Sequence, residues 1–287
     1  MEESASLGQF IPLHYHYNML SDTHRLQGFQ EAIHAMVRPG SRVLELGGGT
    51  GVLSFFAARK ASKVWCVERN PELVREARRI LSRNPGAERV EVIEADAFEY
   101  LPPEPVEVVI CEMIHVGMLR EKQVPVLSSF KQRYREKFHA PLPLFIPEAA
   151  IQAVQPVQQS FDFSGFHAPV PLFQHPYSMQ SDTKGLGEPL PYQILSYRED
   201  LPGECTWKGE VTVTEAGLLN AFRFITKNIL GVVPAENRTI DWFSQYLVVP
   251  LEEPLPVERG ERVTVSFFYR PGDPLETLSG SLAVMKD

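Results

Sequence analysis

The chain has 287 residues, 44% of them hydrophobic and 22% charged, as in a folded protein with one large domain or two ordinary ones. Its net charge of −8 makes nucleic acid a poor partner, because phosphates would be repelled. Cys66, Cys111 and Cys205 have no paired spacing, and no apolar run reaches membrane-spanning length, which excludes a disulfide framework, a Cys-x-x-Cys metal site and a membrane helix. Residues 1–4 are acidic, whereas a secretory signal starts with basic residues, so we expect a cytoplasmic protein.

Strand-like and helix-like segments alternate along the first half of the chain. Such alternation predicts an α/β fold with a parallel sheet covered on both faces. A helix is expected after Asn70, which can cap it, with Pro71 at its first position. The predicted strands are residues 43–46, 64–68, 90–93 and 106–110, and the predicted helices are residues 50–60 and 71–83.

A glycine run follows the first predicted strand. Glu45, Gly47, Gly49 and Gly51 form the pattern E-x-G-x-G-x-G, and such a loop lets backbone N–H groups approach a ligand. The dinucleotide fingerprint, counted from Gly47, needs a small residue where this chain has Val52. The pattern resembles the loop of class I methyltransferases, which implies S-adenosylmethionine as cofactor. The alternative is a tight turn without a ligand.

Two acids after the next strands are candidate cofactor ligands. Glu68 ends the second predicted strand, where a carboxylate can accept hydrogen bonds from both ribose hydroxyls. Asp96, followed by Ala97, comes after the third strand and can accept a hydrogen bond from the adenine amino group. The alternative for Asp96 is a helix cap.

Glu112 and Glu121 lie nine residues apart after the fourth predicted strand. This loop is at the carboxyl ends of the strands, where ligands of open α/β sheets bind. Glu112 interrupts an apolar run, so it needs a cation or a proton. A hairpin would bring both carboxylates to one ligand, and two carboxylates match the forked donors of a guanidinium. Because no His, Cys and Asp group has metal-ligand spacing, we expect no metal.

The composition of the sequence changes near residues 141–147, where prolines become frequent and helical periodicity fades. Later β-prone runs at residues 209–214, 246–249 and 262–269 indicate antiparallel strands. We expect one domain over residues 1–146 and a β-rich domain over residues 147–287. Residues 160–191 fit no regular element and are a candidate for an arm that packs on a partner.

These motifs together resemble the protein arginine methyltransferase family, whose "double-E" loop has two glutamates at this separation. Residues 16–25 resemble its N-terminal helix, residues 145–148 its crossing into an antiparallel β-barrel, and residues 239–242 its THW loop. The resemblance implies that Arg25 pairs with the carboxylate of the cofactor's methionine part, that Met19 lines the reaction site and that Trp242 belongs to the substrate site. It also implies a Rossmann-like cofactor domain and a homodimer in which residues 160–191 dock on the other subunit.

The chain departs from the family pattern at several positions. Residues 9–13 replace a Tyr-Phe-x-x-Tyr element. Asp241 stands where the family has a histidine paired with the acid that Asp22 matches, so two carboxylates would need a cation or a proton between them. Residues 113–115, which end in His115, replace Trp-Met-Gly and reshape the acceptor pocket. His115 is a candidate substrate-binding residue that either acts as an acid–base group or packs.

The leading hypothesis is S-adenosylmethionine-dependent methylation of an arginine guanidino nitrogen, in a protein, a peptide or free arginine. Glu112, Glu121, Asp22, Asp241 and Met19 form the expected catalytic group. One alternative is a changed small-molecule acceptor, and the other is a cofactor-binding scaffold without turnover. A scaffold has no chemical need for both loop acids.

Overall fold

The computed structural model describes residues 11–286. Residues 1–4, and residues 9 and 10 of the segment that replaces the family's tyrosine element, lie outside this range. No helix in the described range is long and apolar enough to span a bilayer. Within the same range, no group of three or more His, Cys, Asp or Glu side chains is arranged to bind a metal ion.

Two short helices precede the first strand. A 3₁₀ turn (Leu13–Tyr15) leads into α1 (His16–Ser21) and α2 (Thr23–Met36). Asp22 separates the helices and caps α2, because its carboxylate accepts a hydrogen bond from the backbone N–H of Arg25 at 2.9 Å. This cap sets the direction in which α2 leaves the cofactor side of the molecule.

The first half of the chain forms the predicted parallel sheet. Its strands are β1 (Arg42–Leu46), β2 (Lys63–Glu68), β3 (Val90–Glu94), β4 (Val108–Cys111) and β5 (Leu144–Ile146). They lie in the order β3-β2-β1-β4-β5, and all neighbours are parallel. The connecting helices are α3 (Val52–Ala58), α4 (Pro71–Leu81) and α5 (Gln123–Phe138). Asn70 caps α4 as predicted, accepting from the N–H of Glu72 at 3.0 Å.

The second half is antiparallel, as predicted, and curls into a half-barrel. Its longest strand, β13 (Gly217–Val233), has two register shifts, between Leu219 and Ala221 and between Ile229 and Gly231. The strand bends there, because an extra residue on one strand increases the local twist. The strands are β6 (Ala149–Gln159), β7 (Asp162–Phe163), β8 (Phe166–His167), β9 (Leu172–Gln174), β10 (Thr183–Gly185), β11 (Leu190–Ser196), β12 (Cys205–Thr212), β13 (Gly217–Val233), β14 (Arg238–Phe243), β15 (Tyr246–Val257), β16 (Arg262–Tyr269) and β17 (Ala283–Lys286), with α6 (Leu275–Ser281) before the last strand.

Seven of these strands share the main sheet. The path is β10-β6-β13-β15-β9, while β11 also pairs with β6 and β14 with β13. Strands β12, β16 and β17 form a three-stranded sheet, and β7 and β8 form a hairpin. The three predicted β-prone runs fall in β12, β15 and β16, and the sheets pack over their own apolar core.

Residues 160–191 are more regular than expected. They contain four short strands, of which β9 pairs with β15 and β10 pairs with β6 of the same chain. The β7–β8 hairpin exposes Phe163 and Phe166, which are 51% and 71% accessible. Backbone pairing therefore ties two parts of this segment, β9 and β10, to its own half-barrel, while the hairpin exposes apolar rings.

Helix α2 joins the two sheets. Phe29, Ala32 and Ile33 on this helix are buried in a core that includes the parallel sheet together with Leu230 and Trp242 of the half-barrel. Burying three such side chains on one helix stabilises the docking by several kcal/mol, at about 1.5–3 kcal/mol for each large one. The half-barrel is thereby held against the carboxyl ends of the parallel strands.

Candidate active site and cofactor cavity

A cavity of about 930 Å³ lies between the carboxyl ends of the parallel strands and the half-barrel. Thirteen of the predicted site residues line it: Met19, Asp22, Arg25, Glu45, Gly47, Gly49, Glu68, Asp96, Ala97, Glu112, His115, Glu121 and Trp242. Gly51 and Asp241 do not line it. One cavity therefore contains the glycine loop and both glutamates.

The glycine loop is packed so tightly that side chains cannot replace its glycines. Gly47 and Gly49 have left-handed φ angles of 75° and 55°. A Cβ on Gly47 would lie 2.8 Å from Met113 Cγ, and one on Gly49 would lie 2.8 Å from His16 Cε1. Gly51 is turned away and faces Leu81 of α4, because it occupies the N-cap position of α3. Gly51 therefore serves the turn in this structure, and its expected contact with the cofactor stays a prediction.

Glu68 holds the end of the glycine loop. Its Oε2 accepts a hydrogen bond from Gly49 N at 2.9 Å, and its Oε1 accepts from Arg69 N and Asn70 N at 2.9 and 2.8 Å. A carboxylate has about four lone-pair sites, so these bonds leave it capacity for a ligand hydroxyl. Glu68 thus faces the cavity in a fixed orientation.

Asp96 acts as a turn cap in this structure. Its Oδ1 accepts a hydrogen bond from Phe98 N at 2.8 Å, and its Oδ2 lies 3.6 Å from a guanidinium nitrogen of Arg69. The alternative of a helix cap is not met, because a turn and not a helix follows Asp96. Because Asp96 and Ala97 also line the cavity, the cap and a contact with a ligand are compatible.

Glu45 is buried beneath the glycine loop, at the base of the cavity that it lines. Its Oε2 accepts hydrogen bonds from the backbone N–H, at 2.8 Å, and from the hydroxyl of Ser54 in the first turn of α3. It thereby provides the cap that Gly51, lacking a side chain, cannot provide. Burial raises the pKa of Glu45 to about 7, against the opposing effect of these hydrogen bonds.

Arg25 reaches from α2 into the double-glutamate loop. Its guanidinium, 8% exposed, forms an ion pair with Glu112, and it also donates to the carbonyl of Met19 at 3.4 Å. Burial alone would lower the pKa of Arg25, but the charge of Glu112 and its hydrogen bond outweigh that and raise it. Arg25 is the cation that Glu112 needs, which the sequence did not predict.

Gln123 forms hydrogen bonds with the backbone on both sides of Glu112. This fully buried side chain on α5 donates to Cys111 O at 2.7 Å and accepts from Met113 N at 3.0 Å. Sequence reasoning missed it, because an amide in the first turn of a helix has no distinctive pattern. Its two bonds fix the backbone from which the Glu112 side chain leaves.

Glu121 lies at the other end of the loop and lines the same cavity. Burial raises its pKa to about 8, helped by the nearby charge of Glu112 and opposed by Arg25 and Arg120. The raised pKa thus reflects burial first and the neighbouring carboxylate second, which together outweigh the two arginines. A cation bound beside Glu121 would favour its ionised form.

His115 packs, which is one of its two expected roles. Its ring lies edge-on to Phe173 at 5.3 Å between centroids, and its Nδ1 lies 3.2 Å from the carbonyl of Val116. Burial lowers the pKa of His115 to about 4, so the imidazole is neutral at physiological pH. Phe173, His175 and Pro176 line the cavity as well, and they went unpredicted because β9 is far away in sequence.

Asp241 does not line the cavity that Asp22 lines. Its carboxylate forms an ion pair with Lys227, whose ammonium also lies 5.6 Å from the centre of the Phe243 ring. Neighbouring side chains on a strand point to opposite faces, so Trp242 faces the cavity and packs against Phe29 at 6.1 Å, while Asp241 points away. Lys227 is therefore a cation that compensates the charge of Asp241, and the expected role of Asp241 beside Asp22 stays a prediction.

Comparisons with known proteins agree with this architecture. A methyltransferase domain model matches residues 43–137. A Methanothermobacter thermautotrophicus protein of uncharacterized function is 30% identical over 274 residues, covering 93% of this chain and 97% of that protein. An arginine N(omega)-methyltransferase of Streptomyces achromogenes subsp. streptozoticus is 26% identical over 279 residues, covering 88% of this chain and 74% of the relative.

Two solved structures share the fold at 17% identity. One is the Trypanosoma brucei PRMT1 enzyme–prozyme heterotetrameric complex with AdoHcy, with a TM-score of 0.74 over 99% of this chain and 98% of that chain. The other is Arabidopsis thaliana protein arginine methyltransferase 10, with a TM-score of 0.75 over 96% of this chain and 97% of that one. The chain belongs to the class I S-adenosylmethionine-dependent methyltransferases as a divergent relative of the protein arginine methyltransferases, with S-adenosylmethionine as its cofactor.

Proposed function

We propose that the protein methylates a guanidino nitrogen of arginine. The observation that carries this proposal is that Glu112 and Glu121 line one cavity with the glycine loop. Arg25 compensates part of their charge, yet the pKa of Glu121 stays raised, to about 8, by burial and by Glu112. A guanidinium bound there would favour the ionised form of Glu121 and offers five donors in a planar fork.

The proposed cofactor contacts use residues that line the cavity. Glu68 accepts hydrogen bonds from the ribose hydroxyls, Asp96 and Ala97 contact the adenine, and Arg25 pairs with the methionine carboxylate. Gly47 and Gly49 let the backbone approach the ligand. When bound, S-adenosylmethionine supplies an electrophilic methyl group on a sulfonium.

The proposed roles of the protein in transfer are positioning and proton handling. Glu112 and Glu121 orient the guanidinium and attract its positive charge to the far nitrogens, which leaves the reacting nitrogen richer in electrons. The methylated nitrogen must lose a proton, and a carboxylate oxygen of Glu121, ionised once the guanidinium is bound, takes it. Met19 and Trp242 shape the apolar wall of the reaction site.

A second candidate function is methylation of another small nitrogen or oxygen acceptor. It is favoured by the neutral wall that His115 and Phe173 add beside the glutamates, since a guanidinium does not require that wall. A non-catalytic scaffold is the less favoured alternative, because two buried carboxyl groups at one site are costly to keep without a ligand.

The acceptor test uses methyl-labelled S-adenosylmethionine with separate arms for free arginine, an arginine-rich peptide and small amines or alcohols. Label in an arginine arm, mapped to the guanidino group by mass spectrometry, supports the proposal and identifies the source of the arginine. Label only in the amine or alcohol arm supports the second candidate. Binding of S-adenosylhomocysteine without label in any arm contradicts both and supports the scaffold.

We also propose a cytoplasmic homodimer whose contact includes the β7–β8 hairpin. The exposed rings of Phe163 and Phe166 form an apolar tip of the kind that marks an interface. The thiols of Cys66, Cys111 and Cys205 are free and buried, which suits a reducing compartment.

A further inference from the structure

The loop between Glu112 and Glu121 keeps an unusual backbone. Gly117, Met118 and Arg120 all have left-handed φ angles, of 68°, 58° and 61°. Residues with a Cβ adopt this region at a cost, and they stay there only when the surroundings hold them. Since the two acids are at the ends of this loop, its path decides whether both face the cavity.

Three hydrogen bonds from the half-barrel hold that path. The Gly117 N–H donates to Thr226 Oγ1 at 2.9 Å. The Met118 carbonyl accepts from Gly272 N at 2.7 Å, and Arg120 N donates to Asp273 O at 2.7 Å. Of these three bonds, the one to Thr226 involves a side chain and the other two join backbone atoms. Thr226 can therefore be changed without altering the backbone of the turn at Gly272.

Thr226 is itself held in place. Its hydroxyl donates to Gln152 Oε1 at 2.6 Å, and Thr226 and Gln152 lie opposite each other on β13 and β6. Both are fully buried. Because the single hydroxyl proton goes to Gln152, an oxygen lone pair stays directed at the Gly117 N–H. Thr226 is not among the residues that line the cavity, so it acts on the site through the loop.

We propose that Thr226, oriented by Gln152, is a positioning residue that holds the double-glutamate loop through Gly117. Its catalytic readout rests on the proposed methylation of arginine. Loss of the hydroxyl leaves the Gly117 N–H buried without an acceptor, so the left-handed segment opens more often. The glycine loop and its cofactor contacts are on other elements and stay unchanged.

The test compares Thr226→Val, which keeps the branched shape, with Thr226→Ser, which keeps the hydroxyl. Thr212→Val, on an exposed position of β12, is the matched control. Amide hydrogen exchange of residues 113–121, the Kd of S-adenosylhomocysteine, and kcat and KM with arginine are measured in each. In Thr226→Val we expect exchange to rise and kcat to fall about tenfold, with the Kd unchanged; Thr226→Ser and Thr212→Val should match the parent.

Unchanged exchange in Thr226→Val overturns the proposal, and so does an equal effect in Thr226→Ser, which would assign the role to packing. If Thr226→Val does not fold, Gln152→Met removes the orienting acceptor, and faster exchange of residues 113–121 in that variant is the supporting result. If the parent protein does not methylate arginine but the variants show the expected changes in hydrogen exchange, only the proposed function is contradicted. The positioning of the loop is then supported by the exchange data.

Discussion

The Arg25 guanidinium forms an ion pair with the Glu112 carboxylate, 87 positions later in the chain. The pair joins the helix before the first strand to the loop after the fourth strand. Because it is almost fully buried, removing either partner would leave an uncompensated charge, at a cost of about 3–5 kcal/mol. The acceptor site is thereby coupled to the packing of α2 over the cofactor side of the cavity.

Replacing either loop acid by its amide should slow turnover. Glu112→Gln and Glu121→Gln keep shape but remove negative charge, so each should raise the barrier by about 2–4 kcal/mol, a loss of roughly 30- to 1,000-fold in kcat. Label transfer from the cofactor measures this. Glu252→Gln, on the exposed face of β15, is the control that should keep full activity. Near-normal turnover in Glu112→Gln would contradict the double-glutamate mechanism.

Arginine binding should release a proton near neutral pH. Burial and the charge of Glu112 raise the pKa of Glu121 to about 8, so this group is mostly protonated at pH 7. A bound guanidinium lowers that pKa, so close to one proton leaves per arginine bound, and affinity strengthens as pH rises towards 8. Calorimetry in buffers of different ionisation enthalpy measures the release. Glu121→Gln should abolish it, and arginine binding by the parent without proton release would contradict the assignment.

The free energy of unfolding should fall as the pH rises from about 4.5 to about 7. In this range Glu45 is ionised in the unfolded chain but protonated in the folded protein. Burial raises its pKa from the ordinary 4.5 to about 7. Between these values the folded protein holds a proton that the unfolded chain lacks, so stability is lost up to about pH 7, by about 3 kcal/mol.

The variant Glu45→Gln removes this titration and keeps an oxygen for the Ser54 N–H. Its free energy of unfolding, from denaturant titrations, should match that of the parent near pH 4.5 and exceed it at pH 7. Glu252→Gln should follow the parent. Parallel stability profiles for Glu45→Gln and the parent would show that Glu45 does not carry this pH dependence.

The variant Asp96→Asn separates the two roles of Asp96, the turn cap and the proposed contact with adenine. Asp96→Asn keeps an oxygen for the Phe98 N–H, but its nitrogen cannot accept a hydrogen bond from an adenine amino group. We expect S-adenosylhomocysteine to bind about tenfold more weakly, with the melting temperature of the free protein unchanged. Unchanged affinity for S-adenosylhomocysteine would contradict the adenine contact and leave Asp96 as a turn cap alone.

The β7–β8 hairpin should control oligomeric state. Changing Phe163 and Phe166 together to serine removes the apolar tip, so a dimer at micromolar concentration should become a monomer in sedimentation or gel filtration. The matched control changes Ile194, exposed elsewhere on β11, to serine. A parent that is already monomeric, or a double variant that stays dimeric, would count against this contact.

Local patterns determined the class of fold and the cofactor of this protein. The alternation of strands and helices, the Asn70-Pro71 cap and the glycine spacing depend on neighbours in sequence, and each carries its own physical signal. The approach of Glu112 and Glu121 was inferable too, since both follow one predicted strand. The antiparallel second half was visible in its β-prone runs, although the pairing of β9 and β10 was not.

What the tertiary structure decided is which cation meets which acid. Arg25 on Glu112 and Lys227 on Asp241 join residues on separate elements, and no periodicity encodes such pairs. The same holds for Gln123 and Thr226, whose polar atoms matter because packing places backbone groups of the loop within hydrogen-bond distance. Composition and spacing set which chemistry was available, whereas burial and strand direction set which groups face one another in the cavity.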